Sequence, residues 1–335
     1  MPRLRRTSCE QAGWTRRRAG KGFVYLDQDG NRLPPEEERR ARELVIPPAW
    51  RDVWICPLPN GHLQAVGTDE AGRRQYIYHP AWVEQRAAEK HDRVLRFGKR
   101  LPRIRERVLV DLQQEGVSEE HACALAVRLL DLGYFRIGND FYEEEYGSFG
   151  LTTLRREHVR RRGDSLVFNF VGKSGIEHHV EIGDPLTVET IDRMRRRRTA
   201  TDQRLLVFRN GRGWRPLTPE LVNVYLRETS GMEVSAKDFR TWHATVLAAA
   251  ALATAPGPEA SKTKRKRAVA AAMREVADFL GNTPTLARSA YVDPRVIDAY
   301  EEGRTIATAM RRTYSDLDQR QMALERATLR LVAGR

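Results

Sequence analysis

The hydrophobic pattern of the chain changes its period near residue 90, and this change constrains the fold more than any other feature. Before it, segments 22–33 and 62–79 alternate apolar and polar residues around Asp-Gly and Asp-Glu-Ala-Gly turns, as antiparallel strands do. After it, apolar residues recur every three to four positions, as in helices. The sequence therefore predicts an α+β fold, with a small β-rich domain over residues 1–90 and a larger, mainly α-helical domain over residues 91–335.

The predicted helices carry recognisable ends. Ser118 and Ser235 stand where an N-cap is expected, and Asp238 lies three residues after Ser235, close to a capping box. Residues 263–282, "TKRKRAVAAAMREVADFLGN", predict a helix that ends at Gly281, because glycine readily adopts the left-handed conformation found at helix ends. We also expect a long amphipathic helix from Ile306 onward.

Two segments interrupt this helical pattern. Residues 165–182 alternate and predict two strands joined by a Gly-Lys-Ser-Gly turn. Residues 256–267, "PGPEASKTKRKR", are rich in proline, glycine and basic residues and predict a mobile basic linker.

The charge of the chain favours an anionic partner. It carries 58 Lys and Arg against 45 Asp and Glu, a formal net charge of +13, with arginine runs at 16–18, 160–162 and 195–198. Such runs favour a nucleic acid, because each phosphate that is neutralised releases counterions. The longest apolar run, 244–255, is shorter than the ~20 residues that span a bilayer, so no membrane partner is expected.

Cysteine usage gives an expectation about location. Cys9, Cys56 and Cys123 form no C-x-x-C pair, which favours neither a disulfide framework nor a zinc site. No signal peptide is recognisable at the N-terminus. We therefore expect a cytoplasmic protein.

Several common chemistries fit the sequence poorly. Gly172-Lys173-Ser174 resembles the end of a P-loop, but Val167 stands where the first glycine is required. A calcium loop at 27–30 has Arg32 in place of its glycine. His178 and His179 are neighbours on a strand and face opposite sides, so they cannot share a metal. The sequence therefore predicts neither a nucleotide cofactor nor a metal.

A tyrosine surrounded by cations is the chemistry that remains. Tyrosine is a weak nucleophile while protonated, and attack on a phosphodiester builds negative charge that fixed donors must stabilise. Arginine provides a planar fork whose charge persists, and a lysine can protonate the leaving alkoxide. Such a site needs two arginines, a lysine, a neutral donor and a tyrosine from different elements.

The chain contains these residues in a recognisable order. "GYFRIGND" carries Arg136, "FVGKSG" carries Lys173, "KDFRTWHAT" carries Arg240, and "LGNTPTLARSAYVDP" carries Asn282 and Tyr291. With "GFVYLDQDGNRL", "VIPPAWRDVWICP" and "GRRQYIYHPAW" in the first part, the sequence resembles the compact bacterial and poxvirus-type DNA topoisomerases of type IB over about residues 12 to 305. The resemblance implies a fold like that of tyrosine recombinases and topoisomerases IB.

The resemblance also implies a role for each residue. Tyr291 would attack the scissile phosphate and become linked to the 3′ end, while Arg136 and Arg240 hold its non-bridging oxygens. Lys173, at the tip of a hairpin, would protonate the departing 5′ oxygen. Many relatives have histidine where this chain has Asn282, and asparagine can donate a hydrogen bond but cannot give up a proton. Transition-state hydrogen bonding is therefore the role expected of Asn282.

The resemblance places a second DNA contact in the first part of the chain. Gln75, Tyr76 and Tyr78 match residues that touch DNA bases and backbone in the major groove, and period two gives both tyrosines the same facing. It further implies a monomer that closes around duplex DNA as a clamp and is associated with the nucleoid.

Two other functions remain open at this stage. Tyrosine site-specific recombinases use the same chemistry, but they usually have histidine where this chain has Lys237, and their N-terminal domain is helical rather than strand-rich. A non-catalytic architectural DNA-binding protein would share the basic charge alone. Each candidate side chain also has a structural interpretation, such as Tyr291 packing half-buried and Arg136 or Arg240 forming ion pairs.

Overall fold

The computed structural model describes residues 3–133, 135–197, 203–211 and 213–334. The chain divides into two compact units, Met1–His91 and Asp92–Arg335. The first contains a β-sheet and the second is mainly helical, so the mixed α and β content predicted from the sequence is confirmed. No described helix is long and apolar enough to cross a membrane.

The first unit is built on one antiparallel sheet of five strands in the order β2-β1-β3-β4-β5. The strands are β1 (Trp14–Ala19), β2 (Gly22–Leu26), β3 (Arg51–Ile55), β4 (Leu63–Thr68) and β5 (Arg74–Tyr78), and helix α1 (Pro35–Glu43) lies between β2 and β3 in the chain. Trp14, Ile55 and Ala65 form its buried core together with Ala41 of α1. The predicted turn between β4 and β5 is present, with Gly72 N donating to Asp69 O at 3.0 Å.

The second unit contains most of the helices. They are α2 (Pro80–Leu112, which begins in the first unit), α3 (Glu119–Gly133), α4 (Asp140–Tyr146), α5 (Pro185–Arg195), α6 (Pro219–Ser230), α7 (Ala236–Ala253), α8 (Lys262–Leu280), α9 (Pro284–Ala290), α10 (Pro294–Glu301), α11 (Ala307–Met310) and α12 (Leu317–Val332). Helices α3 and α7 are buried along most of their length. A β-carbon on Gly98 of α2 would lie 2.8 Å from the ring of the buried Trp242 of α7, so this helix crossing requires a glycine.

Two small sheets accompany these helices. The strands are β6 (Val159–Arg162), β7 (Ser165–Val171), β8 (Glu177–Ile182), β9 (Val207–Asn210) and β10 (Gly213–Pro216), paired as β6-β7-β8 and β9-β10. The predicted pair over 165–182 is confirmed as β7 and β8, joined by a short 3-10 turn at Lys173–Gly175. Strands β6, β9 and β10 are only four residues long, and their alternation is too brief to stand out in the sequence.

The helix ends follow the predicted caps. Ser118 Oγ accepts from His121 N at 3.1 Å, and Ser235 forms the capping box with Asp238 at the start of α7. Gly281 ends α8 with φ +59.

Two predictions about the last third of the chain are wrong. Part of the predicted linker is helical, because Ser261 Oγ accepts from Lys264 N and starts α8 at Lys262. The tail is not one helix but two, since Asp316 caps α12 by accepting from Gln319 N at 2.7 Å and so begins a new helix after α11. In both places a local side-chain hydrogen bond decides the boundary.

A buried ionic cluster joins the four helices α2, α3, α7 and α12. Arg105 of α2 binds both Asp131 of α3 and Glu325 of α12, and Asp131 Oδ1 lies 3.1 Å from His243 Nε2 of α7. Burial alone would raise the pKa of Asp131, but Arg105 and His243 hold it below its usual range. This cluster fixes α7, which carries Arg240, against α3, which leads into the loop that carries Arg136.

Candidate active site

Arg136 lies on the loop between α3 and α4, and the backbone of this loop is held by its neighbours. Leu151 N donates to Arg136 O at 2.8 Å. A β-carbon on Gly150 would lie 2.4 Å from Gly138 Cα, so two glycines let these segments approach closely. The side chain then reaches the end of α8, where Arg136 Nη2 donates to Gly281 O at 2.8 Å and to Asn282 Oδ1 at 2.9 Å.

Arg240, which lies on α7, contacts the same end of α8. It lies within α7 with only 4% of its surface exposed, and its Nη2 donates to Leu280 O at 2.7 Å. Arg136 Nη2 lies 3.4 Å from that same oxygen. The last carbonyl groups of a helix carry partial negative charge, which partly compensates two neighbouring guanidinium groups. The end of α8 therefore brings both cations together.

The electrostatics of this pair are unfavourable in the free protein. Burial, reinforced by the nearby charge of Arg136, lowers the pKa of Arg240 to about 10. Burial also lowers the pKa of Arg136. The partners described above for both guanidinium groups are carbonyl and amide oxygens rather than carboxylates. A bound anion would relieve this repulsion.

The cluster also contains two buried hydrogen-bond donors. Arg136 Nη1 and Asn282 Nδ2 are both buried, and neither has an acceptor among the described residues. Buried donors almost always find a partner in a folded protein. Donors that lie next to two guanidinium groups are typical of a site that binds an oxyanion.

Tyr291 stands at the edge of this group. It follows α9 directly, with its backbone N donating to Ala287 O at 3.1 Å. The guanidinium carbon of Arg240 lies 5.6 Å from the centre of its ring. A side-chain hydrogen bond to Tyr291 also favours the charged form of Arg240, against the larger effect of burial. The structure thus brings Arg136, Arg240, Asn282 and Tyr291 into one cluster.

Thr245 contacts the backbone of Tyr291 and of Asp293, two residues later, and sequence reasoning did not assign it to the site. Its Oγ1 accepts from Asp293 N at 3.1 Å and lies 3.4 Å from Tyr291 O. Thr245 is on α7, five residues after Arg240, so one helix carries a cation of the cluster and also anchors the tyrosine. Its place within "RTWHAT" was the one available signal.

Lys173 lies on the exposed turn between β7 and β8. Ser174, the next residue, has φ +67, so the chain turns sharply there. The residues just after this turn reach the cluster, because a β-carbon on Gly281 would lie 3.0 Å from His178 Cε1 and 3.6 Å from Ile176 Cγ2. The hairpin therefore packs against the residue that precedes Asn282.

His178 is a second neighbour of the cluster that sequence reasoning did not assign to it. Burial lowers its pKa, and the charges of Arg136 and Arg240 lower it further. A cavity of about 460 Å³ opens beside it, lined in part by Arg136, Phe170 and Phe279. His178 and His179 face opposite sides of β8, as predicted, since His178 is half-buried and His179 is exposed.

The three predicted DNA-contact residues lie on β5 of the first unit. Tyr76 and Tyr78 share a face, are 47% and 40% exposed, and stack with ring centres 6.1 Å apart. Gln75 faces the other side, where its Nε2 donates to Asp69 Oδ2 at 2.8 Å.

Further side chains continue this aromatic surface. The His62 ring centre lies 6.2 Å from that of Tyr78 and 4.7 Å from that of Trp82. Arg6 and Arg86 each place a guanidinium within 6 Å of the Trp82 ring. The sequence showed this tryptophan but not the cations beside it.

Within residues 3–133, 135–197, 203–211 and 213–334, no group of three or more His, Cys, Asp or Glu side chains is placed to hold a metal ion. Cys9, Cys56 and Cys123 are free thiols.

Comparison with known proteins identifies the class to which this fold and cluster belong. Residues 79–316 match the family model described as the catalytic core of eukaryotic DNA topoisomerase I, and residues 22–69 match the N-terminal domain of bacterial DNA topoisomerase IB. The chain therefore belongs to the DNA topoisomerase I family, as an enzyme of type IB. The five candidate catalytic residues all lie inside the first match.

Individual relatives agree with this assignment. The chain is similar to DNA topoisomerase 1B of Acanthamoeba polyphaga mimivirus, with 27% identity over 298 residues that cover 86% of this chain and 88% of the relative. It is 21% identical to DNA topoisomerase 1B of Vaccinia virus over 266 residues, covering 75% and 76% of the two chains. DNA topoisomerase 1 of Schizosaccharomyces pombe is 29% identical over 171 residues, which are half of this chain but 20% of that protein.

Proposed function

We propose that the protein relaxes supercoiled duplex DNA by cutting and resealing one strand through Tyr291. The observation that supports this most is the cluster at the end of α8, where the half-buried Arg136, the buried Arg240 and the Asn282 amide lie together and Arg240 lies beside the Tyr291 ring. Such a cluster can bind a phosphodiester and stabilise the charge that develops on it.

The proposed cleavage step exchanges one phosphodiester for another. The Tyr291 phenol oxygen gives up its proton to solvent, attacks the scissile phosphorus and forms a bond to the 3′ phosphate, while the bond from phosphorus to the 5′ oxygen breaks. Arg136, Arg240 and the Asn282 amide donate to the two non-bridging oxygens. The Arg136 Nη1 and Asn282 Nδ2 atoms, which lack acceptors among the described residues, would then be satisfied.

We assign the proton for the leaving oxygen to Lys173. An alkoxide is a poor leaving group unless it is protonated as the bond breaks. Lys173 is exposed on a hairpin turn, from which a long flexible side chain can reach a bound strand. Religation is the reverse step, in which the freed 5′ hydroxyl returns its proton and attacks the phosphotyrosine.

The proposed cycle needs no nucleotide fuel. The phosphotyrosyl bond keeps the free energy of the bond that was cut, and torsion in the duplex is released by rotation of the free strand. The charge on the phosphate is met by permanently protonated side chains, so the proposed step is also independent of divalent metal. We further propose that the enzyme acts on nucleoid DNA as a monomer that encloses the duplex, and that its helical unit has the fold of tyrosine recombinases.

Relaxation of a supercoiled plasmid without recombination sites, in the presence of a metal chelator, tests this function. We expect a ladder of partly relaxed topoisomers, and a covalent protein–DNA band when the reaction is stopped with detergent. A recombinase lacks its target sites on this plasmid, and an architectural protein would retard it without a covalent band.

The Tyr291→Phe variant tests the nucleophile. It should bind DNA but show neither relaxation nor the covalent band, because the attacking oxygen is gone. Tyr314→Phe is a matched control, since Tyr314 OH donates to Ala309 O, outside the cluster, and this variant should relax DNA normally. Activity in the Tyr291→Phe variant would refute the assignment.

A further inference from the structure

His178 lies between two glycines that each precede a residue of the proposed site. Gly172 comes directly before Lys173, and Gly281 comes directly before Asn282. A β-carbon on Gly172 would lie 2.7 Å from both Cδ2 and Nε2 of the His178 ring, and one on Gly281 would lie 3.0 Å from its Cε1. One imidazole therefore fills the space between the hairpin turn and the end of α8.

The two glycines differ in what their backbones require. Gly281 has φ +59, a conformation that favours glycine whatever surrounds it. Gly172 has φ −94 and ψ −168, an extended conformation that any residue can adopt. The contact with the His178 ring is therefore the feature of this site that excludes a side chain at position 172. The hairpin turn is shaped around the imidazole.

The ring itself is held from one face and is uncharged. It stacks on Phe170 with centres 5.0 Å apart and planes 16° apart. Burial and the two arginines lower the pKa of His178, so the ring adds no third positive charge beside Arg136 and Arg240. A neutral, stacked ring is a rigid spacer that a charged or flexible side chain could not replace.

We propose that His178 is a positioning residue for Lys173. By filling the gap between Gly172 and Gly281, its ring sets the location of the Lys173 turn relative to the end of α8, where the phosphate is bound. The ring thus determines how closely the Lys173 ammonium approaches the leaving 5′ oxygen. This inference rests on the general-acid role proposed for Lys173.

A substrate that needs no acid separates this role from a general structural one. When sulfur replaces the bridging 5′ oxygen, the leaving group is a thiolate, which departs without a proton because the pKa of a thiol is only about 8.5. Single-turnover cleavage is measured with the oxygen and the sulfur substrate at saturating DNA, for the variants His178→Ala, Lys173→Ala and the double variant.

We expect His178→Ala to slow cleavage of the oxygen substrate by about 10- to 100-fold, as a displaced catalytic group does. Cleavage of the sulfur substrate should return to within about 3-fold of the unmodified enzyme. The double variant should be no slower than Lys173→Ala, because two residues that act through one proton transfer are not additive. His179→Ala is the matched control and should cleave normally, since His179 faces the other side and contacts Asn169.

Gly172→Ala provides a second route to the same contact. The backbone at position 172 accepts alanine, so this variant adds one methyl group against an intact His178 ring. It should show the same loss with the oxygen substrate and the same recovery with sulfur, even if His178→Ala does not fold.

Three results would overturn the inference. They are normal cleavage by both His178→Ala and Gly172→Ala, an equal loss with both substrates, or an additive loss in the double variant. A failure of the underlying function is distinguishable, because Lys173→Ala itself would then not recover with the sulfur substrate.

Discussion

The aromatic surface of the first unit and the cationic cluster of the second differ in how they are built. Tyr76 and Tyr78 are exposed on a sheet and stack on each other, while His62 is tilted against Tyr78 and meets Trp82 edge to face. Arg240 is 4% exposed and shares one carbonyl oxygen, Leu280 O, with a second cation. The first surface consists of independent contacts, whereas each member of the cluster depends on the others.

This difference predicts where mutations act. Loss of one exposed ring removes one contact to a ligand and should change affinity by a small factor. Loss of the buried Arg240 removes the shorter hydrogen bond to Leu280 O and one of the charges that would stabilise the phosphate, so it should change the rate of chemistry by a large factor.

Arg240→Ala should have the largest effect. We expect single-turnover cleavage to slow by about 10²- to 10³-fold or more, as when one donor of an oxyanion site is removed. DNA affinity should change much less, because the chain carries 58 Lys and Arg and the loss of one leaves most of the electrostatic attraction to a polyanion in place. Measuring cleavage at saturating DNA separates the two quantities.

Arg274→Ala is the matched control for this change, since Arg274 is an exposed arginine on α8. It should leave the cleavage rate within about 2-fold, as ordinary surface substitutions do. If Arg240→Ala reduced only the affinity for DNA, the cluster would act as a binding surface, as the aromatic surface is expected to do, and the difference between the two regions would be refuted.

Thr245→Val should have an intermediate effect. Valine keeps the shape of threonine but removes the hydroxyl that accepts from Asp293 N and lies beside Tyr291 O. We expect cleavage about 10-fold slower because the tyrosine is less well placed, with DNA affinity unchanged.

Thr254→Val at the end of the same helix is the control, since Thr254 Oγ1 only donates to Ala251 O at an exposed position. Equal effects of the two substitutions would mean that Thr245 matters for helix stability rather than for the tyrosine.

Tyr76→Ala should have the smallest effect on chemistry. We expect the dissociation constant for duplex DNA to rise by about 2- to 10-fold, which corresponds to the loss of one aromatic contact that contributes ~0.5–1.5 kcal/mol. The cleavage rate at saturating DNA should be unchanged. Tyr76→Phe retains the ring and should bind DNA normally. A slower cleavage step in Tyr76→Ala would contradict the comparison, because it would show that the aromatic surface also affects the chemistry.

Local patterns predicted most of the architecture. The alternation of 62–79 gave β4 and β5, and the capping residues Ser118, Ser235 and Gly281 gave the ends of three helices. The errors in the last third of the chain arise where the local composition is misleading. A basic segment after a Pro-Gly-Pro sequence resembles a linker, and only the hydrogen bond made by Ser261 starts α8 there.

The candidate site was predicted in part. The residues Arg136, Arg240, Asn282 and Tyr291 came from the sequence, and the structure brings them together. His178 and Thr245 could not have been found in the same way, because their contacts to Gly281 and Asp293 join positions distant in the chain. The catalytic roles themselves remain predictions.

The sequence by itself determined which elements form and which chemical groups the protein carries. Periodicity, caps and charge are local properties, so they are readable from neighbouring residues. Only the tertiary structure decided that the carbonyl end of α8 meets two arginines, and that one imidazole fills the gap between the two glycines. Those contacts arise because burial of the helices forces distant segments into the same volume, where sequence separation no longer matters.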